Sequence, residues 1–334
     1  MDRPSRCLVL GGKGFIGSHL VDALLERGFR VRSFDRPNLA SLRDAPHHAD
    51  RFESIDGDFA SDADIAAAVA DCDTCYHLIS TTLPKSSNAD PVFDVETNLL
   101  GTLRLLNHAV RGGMRKIVFI SSGGTVYGRP ARLPIDEEHA TNPICSYGVT
   151  KLAIEKYLGM YLDLHGLDYT VLRVSNPYGE RQRTHASQGV IAVFLSKALR
   201  GEALEIWGDG SVVRDYIHIS DVVAALVAAL SYRGEERVFN IGSGYGTSLN
   251  QVADAIRQAT GRAVACRYLS ARAFDVPASV LSIARAEATL CWKPRVSLPE
   301  GLGLTVRWLE RQPATSAEAA SFSPPPMGGT RERH

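Results

Sequence analysis

The chain has 334 residues, 45% of them hydrophobic and 22% charged, with Lys+Arg and Asp+Glu both at 37. That balance allows a large core and leaves no basic face, which argues against nucleic acid as the main partner. Near the start, charged residues give way directly to "CLVLGGKG", too short an apolar stretch for a signal peptide. The later apolar run at 222–230 is far below the roughly 20 residues that cross a bilayer, so a cytoplasmic protein is expected.

In chain order, "RCLVLGG", "FRVRSFD", "TCYHLIS", "KIVFISS" and "DYTVLRVSN" read as strands, with amphipathic segments such as "SHLVDALLERG" and "NLLGTLRLLNHAVRGG" between several of them. Alternation of this kind builds a parallel sheet covered by helices, with ligands beyond the carboxyl ends of its strands.

The first strand meets its helix at "GGKGFIG", which sets Gly11, Gly14 and Gly17 in the turn, Phe15 and Ile16 among them, and the helix start near Ser18. Glycines there let the backbone approach a pyrophosphate, and the helix N-terminus offers it unpaired N–H groups. The second strand ends at Asp35, 18 residues past Gly17, where a carboxylate accepts both ribose hydroxyls of NAD and repels the 2′-phosphate of NADP. Arg36 follows and softens that discrimination, and NAD is the expected cofactor.

These features predict an α/β protein with a Rossmann-type doubly wound parallel sheet over residues 1–175 and a return segment at 214–243. A smaller C-terminal substrate-binding lobe is expected from 176–213 and 244–312, where Gly, Pro and charge increase. Residues 313–334, rich in Pro, Ser and Ala without periodicity, read as a disordered tail. Cys72 and Cys75 form a C-x-x-C near His77, but no second ligand pair at zinc spacing accompanies them. They are read as reduced thiols around a buried strand, and no metal is expected.

Further on, "SYGVTK" supplies Tyr147 and Lys151, four apart and so neighbours on one helical face. A phenol has a pKa near 10 and is a poor base at neutral pH. A cation about 5 Å away, helped by an oxidised nicotinamide, favours phenolate. Lowering the pKa by about three units takes about 4 kcal/mol of preferential stabilisation.

With these motifs in place, the sequence resembles the extended short-chain dehydrogenase/reductase family, and within it the UDP-galactose 4-epimerase branch. The likeness runs from Gly11 to about Pro294, through "GGKGFIG", "GDF" at 57–59, "NLLGTLRLL" from Asn98, "SSGGTVYG", "SYGVTK", "RVSNPYG" at 173–179 and "GDGSVVRDYIHISDV" from Gly208. The resemblance implies that Asp58 and Phe59 flank the adenine, and that Leu78, Ile79, Ser80 and Asn98 line the nicotinamide side. It makes Tyr147 the base and Lys151 its activator, which also holds the nicotinamide ribose. It further implies that Asn176 contacts the sugar-nucleotide phosphates and Arg214 the diphosphate, while Arg272 and Asp275 grip phosphate and the uridine ribose.

One position departs from the family pattern. Anchored on "VYG", the family's catalytic Ser or Thr falls at Gly123, which has no hydroxyl. Thr125, in the same turn, is the first candidate to replace it, because glycines leave room for it to swing in. Ser122 is the second, since strand alternation points it away from where position 123 points. A third reading leaves Tyr147 to work alone or with water. The 4,6-dehydratases carry an Asp-Glu pair just after that hydroxyl, whereas this chain has Gly124 and Thr125, so dehydration is not expected. Four residues after Asp275 comes Ser279, where the epimerases wall off the sugar's 2-substituent. A small side chain there leaves room for an N-acetyl group.

The resulting expectation is an NAD-dependent epimerase that inverts C4 of a UDP-hexose or UDP-N-acetylhexosamine through a 4-keto intermediate. Two alternatives stay open: a net NAD(P)-dependent oxidoreductase of the 4-keto reductase type, and a catalytically impaired nucleotide-binding relative. "NLLGTLRLLNHAVRGG" and "PICSYGVTKLAIEKYLGMYLDLHG" carry extra apolar residues, and the family pairs these two helices across a two-fold axis, so a homodimer is expected.

Overall fold

The computed structural model describes residues 6–43, 48–183, 189–271 and 276–312. Arg272, Asp275 and the 313–334 segment lie outside the described residues. In chain order the strands are β1 (Cys7–Leu10), β2 (Val31–Asp35), β3 (Phe52–Asp56), β4 (Thr74–His77), β5 (Lys116–Ser122), β6 (Asp168–Val174) and β7 (Asn176–Tyr178). They continue with β8 (Leu204–Trp207), β9 (Val213–His218), β10 (Val238–Ile241), β11 (Gly246–Ser248), β12 (Cys266–Leu269) and β13 (Ala278–Ser279).

Seven of these form one parallel sheet in the order β10-β6-β5-β4-β1-β2-β3. This is a Rossmann-type sheet, wound outward from β1 in both directions. The winding reverses between β1 and β4, which opens a crevice at their carboxyl ends. β1 and β5 are buried almost throughout, because helices cover both faces. On one face Leu20 and Leu24 of the helix Phe15–Glu26 and Val222 and Leu226 of the helix Ile219–Ser231 share a core with Val9, Val118 and Leu172. On the other, Leu105 of the helix Gly101–Arg111 and Ile154 and Leu158 of the helix Ser146–His165 join Leu8, Ile117 and Phe119. Burying each such side chain stabilises the fold by roughly 1.5–3 kcal/mol before entropy is counted.

The remaining strands form two small sheets, β11-β9-β13 with β7 also on β9, and β12-β8. The helices Val190–Arg200, Leu249–Thr260 and Leu298–Arg311 close a separate core there around Leu195, Ile206, Ile256 and Leu302. The segment expected to return to the large sheet divides its allegiance. β9 belongs to the small assembly, whereas the helix Ile219–Ser231 and β10 belong to the large one.

Cys7, Cys72 and Cys75 are buried free thiols, and burial pushes Cys72 up to about 11. No helix among the described residues is long and apolar enough to cross a membrane.

Candidate active site

β1 delivers the chain into a turn at Gly11, whose φ of +90° suits glycine. A Cβ on Gly17 would overlap the Gly11 carbonyl, so strand end and helix start meet backbone to backbone. The helix begins at Phe15, three residues earlier than the sequence pattern indicates. Its cap, Gly14, supplies no side-chain hydrogen bond, so the N–H groups of the first turn, those of Phe15 and Ile16 included, suit an anionic ligand. Leu78 and Ile79 close the facing wall, their backbone 3.5 Å from where a Gly11 Cβ would stand.

Asp35, 4% exposed, ends β2. Its Oδ2 accepts from the Lys13 N–H at 2.8 Å and from Ser33 Oγ at 3.0 Å. Burial still dominates and pushes its pKa up to about 6. The Lys13 ammonium is engaged with Asp56 instead, and Arg36 is exposed just beyond. A desolvated carboxylate whose neighbouring ammonium is paired elsewhere is well suited to two ribose hydroxyls. Asp58 is exposed, and its N–H donates to Asp64 Oδ2 at 2.8 Å. The Phe59 ring lies in the core, 5.2 Å from the His77 ring, so only its backbone can face a ligand. Asn98 is buried as well. Its Oδ1 accepts from the Thr81 N–H at 2.9 Å and its Nδ2 donates to Thr81 Oγ1 at 2.8 Å, which braces the loop carrying Ser80.

The helix Ser146–His165 brings Tyr147 and Lys151 to this loop. Lys151 is buried, and its Nζ donates to the Ile120 carbonyl of β5 at 3.0 Å. The same nitrogen lies 5.6 Å from the Tyr147 ring centre and 4.7 Å from that of Phe119. Burial pulls Lys151 down to about 8, opposed by the carboxylates of Asp94 and Glu155. Burial also pushes the Tyr147 phenol up to about 12, opposed by a hydrogen bond with Ser80. At neutral pH the protein alone therefore holds a neutral phenol above an ammonium. Residues 78–80 join this pair to the glycine turn, so the cradle and the phenol are parts of one site.

The sequence profile of the NAD dependent epimerase/dehydratase family matches residues 7–242, from β1 through β10. The chain belongs to the NAD dependent epimerase/dehydratase family. It is 39% identical over 313 residues to the UDP-glucose 4-epimerase of Mycolicibacterium smegmatis, covering 92% of this chain and 99% of that protein. Its fold is similar to that of UDP-glucose 4-epimerase from Thermotoga maritima with UDP-glucose, with a TM-score of 0.86 and 36% identity over 91% of this chain and 98% of that one. Thermus thermophilus UDP-glucose 4-epimerase in complex with NAD gives a TM-score of 0.85 and 34% identity over 92% and 99% of the two chains.

For this member of the epimerase/dehydratase family, the structure gives a packing reason for Gly123. A Cβ there would lie 2.5 Å from Leu281 Cδ1 and 3.1 Å from the Arg173 carbonyl, so a side chain at 123 would run into that wall. Gly124 faces open space. The Thr125 carbonyl lies 2.9 Å from where a Gly148 Cβ would stand, which seats the threonine turn on the first turn of the tyrosine's helix. Thr125 Oγ1 is buried and finds no hydrogen-bond partner among the described residues. Ser122 ends β5 and is partly exposed.

β9 gathers the residues expected to meet the substrate. Asn176, on β7, donates from Nδ2 to the Asp215 carbonyl at 2.8 Å. Arg214 donates from Nη1 to the Val213 and Val276 carbonyls at 2.9 and 2.7 Å. Ser279 pairs in register with Arg214 and is buried in a two-residue strand. A cleft of about 460 Å³ lies alongside, lined by Trp207, Ala271 and Pro277 among others. Sequence reasoning passed over Trp207. The signal was the end of "LEIW", where an indole that a strand core would bury is 41% exposed.

Proposed function

We propose that this protein is an NAD-dependent UDP-sugar 4-epimerase, inverting C4 of a UDP-hexose or UDP-N-acetylhexosamine through a 4-keto intermediate. The observation that carries this reading is the buried Lys151 Nζ 5.6 Å from the centre of the Tyr147 ring, joined through residues 78–80 to the glycine cradle. The UDP-glucose 4-epimerases to which the chain is similar support it.

The first-turn N–H groups at Gly11 to Gly17 would hold the pyrophosphate of the cofactor, Asp35 its adenine-side ribose and Lys151 its second ribose. When bound, NAD supplies the acceptor for the C4 hydride and the positive charge that Tyr147 lacks in the protein alone. Tyr147 takes the proton of the sugar's 4-hydroxyl and later returns it, and the Lys151 ammonium stabilises the phenolate between those steps. Thr125 Oγ1, buried and without a partner, is the hydroxyl best supplied to share a hydrogen bond with the reacting oxygen. Arg214 and Asn176 meet the diphosphate, and Ser279 beside Arg214 leaves space for an N-acetyl group.

We infer a homodimer from apolar side chains left exposed on the two helical stretches expected to pair. Leu100 lies on one, with Val92 and Val95 on the short turns just before it, and Val149, Met160 and Leu164 lie on the other. Six free cysteines suit a reducing, cytoplasmic compartment.

The test is proton NMR of the purified protein with UDP-glucose, UDP-galactose and their 2-acetamido counterparts, without added cofactor. One pair of 4-epimers is expected to interconvert with no build-up of NADH. Tyr147→Phe is expected to lower kcat by at least about 100-fold while sugar-nucleotide binding is kept. Net formation of NADH or of a reduced sugar contradicts the proposal.

A further inference from the structure

Between β4 and the helix Gly101–Arg111 the chain forms two short helices, Pro84–Ala89 and Pro91–Asp94, and then a π-helical turn, Val95–Leu100. Asp94 stands at that junction, 0% exposed. Its Oδ1 accepts from Thr82 Oγ1 and from Asn98 Nδ2, the latter at 3.0 Å. Its Oδ2 accepts from Ser146 Oγ at 2.7 Å and Thr150 Oγ1 at 2.8 Å. Ser146 and Thr150 immediately precede Tyr147 and Lys151, so one carboxylate grips the helical turn on which both stand. Thr82 and Asn98 hold the loop that carries Ser80. A single buried group thereby ties together the three segments around the phenol.

The charge of Asp94 has no other obvious use. Its four donors are neutral, and it forms no ion pair among the described residues. Glu155, the other carboxylate acting on Lys151, is already paired with Arg173 at 2.6 Å. A buried ammonium requires a counter-charge, and with Glu155 committed to Arg173 that part falls to Asp94.

We propose that Asp94 is a positioning residue for the reaction, clamping the helical turn that bears Tyr147 and Lys151 and placing a negative charge beside that turn. This rests on the roles of Tyr147 and Lys151 given under Proposed function. The other ionisable groups facing the pair are Cys145 at the helix cap, His77 on β4, and Glu155 with Arg173. Lys85, Asp90 and Glu96, on the flanking segments, are exposed.

The sign of the effect follows from the charges. Asp94 raises Lys151 and also raises Tyr147, so removing its charge lets both lose their protons at lower pH. In Asp94→Asn both limbs of the pH profile of kcat are expected to move toward acid by about one unit, with KM within about twofold of native. Carbon NMR of ε-labelled lysine in the cofactor-free protein is expected to show Lys151 titrating at lower pH in Asp94→Asn than in the native protein. Thr150→Val, which keeps the charge and cuts one tether, is expected to lower kcat several-fold with an unmoved profile. An unmoved profile or unmoved Lys151 titration in Asp94→Asn overturns the proposal. If Asp94→Asn does not fold, a native Lys151 already neutral at pH 7, or a Thr150→Val variant with native kcat, overturns it instead. Full activity in Tyr147→Phe would remove the parent reading. An inactive Tyr147→Phe beside a native-like Asp94→Asn would remove only the role of Asp94.

Discussion

Asp35 is placed for a ligand at the expense of the fold. Burial raises its pKa to about 6 even though Lys13 N–H and Ser33 Oγ both donate to it. An acid whose folded pKa lies above its unfolded value of about 3.9 destabilises the fold once ionised. Stability of the cofactor-free protein should therefore fall as pH rises from about 4 to about 6 and stay reduced above that. Asp35→Asn is expected to raise Tm without cofactor at pH 7.5 and to weaken NAD retention, and thermal melts with and without NAD check both. A lower Tm without cofactor contradicts this. The acid at this position was legible because a strand end and a fixed spacing from Gly17 announce it, and Tyr147 and Lys151 because their relation is local to one helix. Phe59 was less legible. Its ring contacts with His77 and Gly101 join distant parts of the chain, so nothing near it in sequence shows that the ring points inward.

Elements meet tightly where the tyrosine helix begins. A Cβ on Gly148 would lie 2.9 Å from both the Thr125 carbonyl and Pro143 Cβ. Gly148→Ala should therefore push the helix turn off the threonine turn. The expected result is a destabilisation of about 1–3 kcal/mol by urea unfolding, with a lowered kcat. Native stability with native kcat would show that the two turns are not mechanically joined. This contact explains why the hydroxyl missing at Gly123 could not be resolved from sequence. The turn's geometry is set by Leu281, Arg173 and Gly148, all remote from it along the chain. β3 escaped notice because it is an edge strand whose burial is incomplete. The doubly buried strands β1 and β5 were plain, since apolar runs mark them.

At the scale of the whole molecule, the apolar side chains left outside are as informative as those within. Val149 and Leu164 are 53% and 66% exposed on the helix that carries Tyr147 and Lys151, and Val92 is 66% exposed nearby. Light scattering is expected to give a dimer for the native protein and a monomer for Leu164→Glu combined with Val92→Glu. A native monomer rejects the dimer. The parallel sheet and its crevice were readable from strand–helix alternation, but the division of the 213–241 stretch between two sheets was not, because pairing partners leave no local trace. The account as a whole turns on hydride leaving C4 and returning to the same carbon. The most direct measurement supplies the UDP-sugar turned over by the protein, deuterated at C4, with no added cofactor. The account predicts the 4-epimer with deuterium still on C4, whereas inversion with exchange of that deuterium for solvent hydrogen, or no inversion at C4, would contradict it.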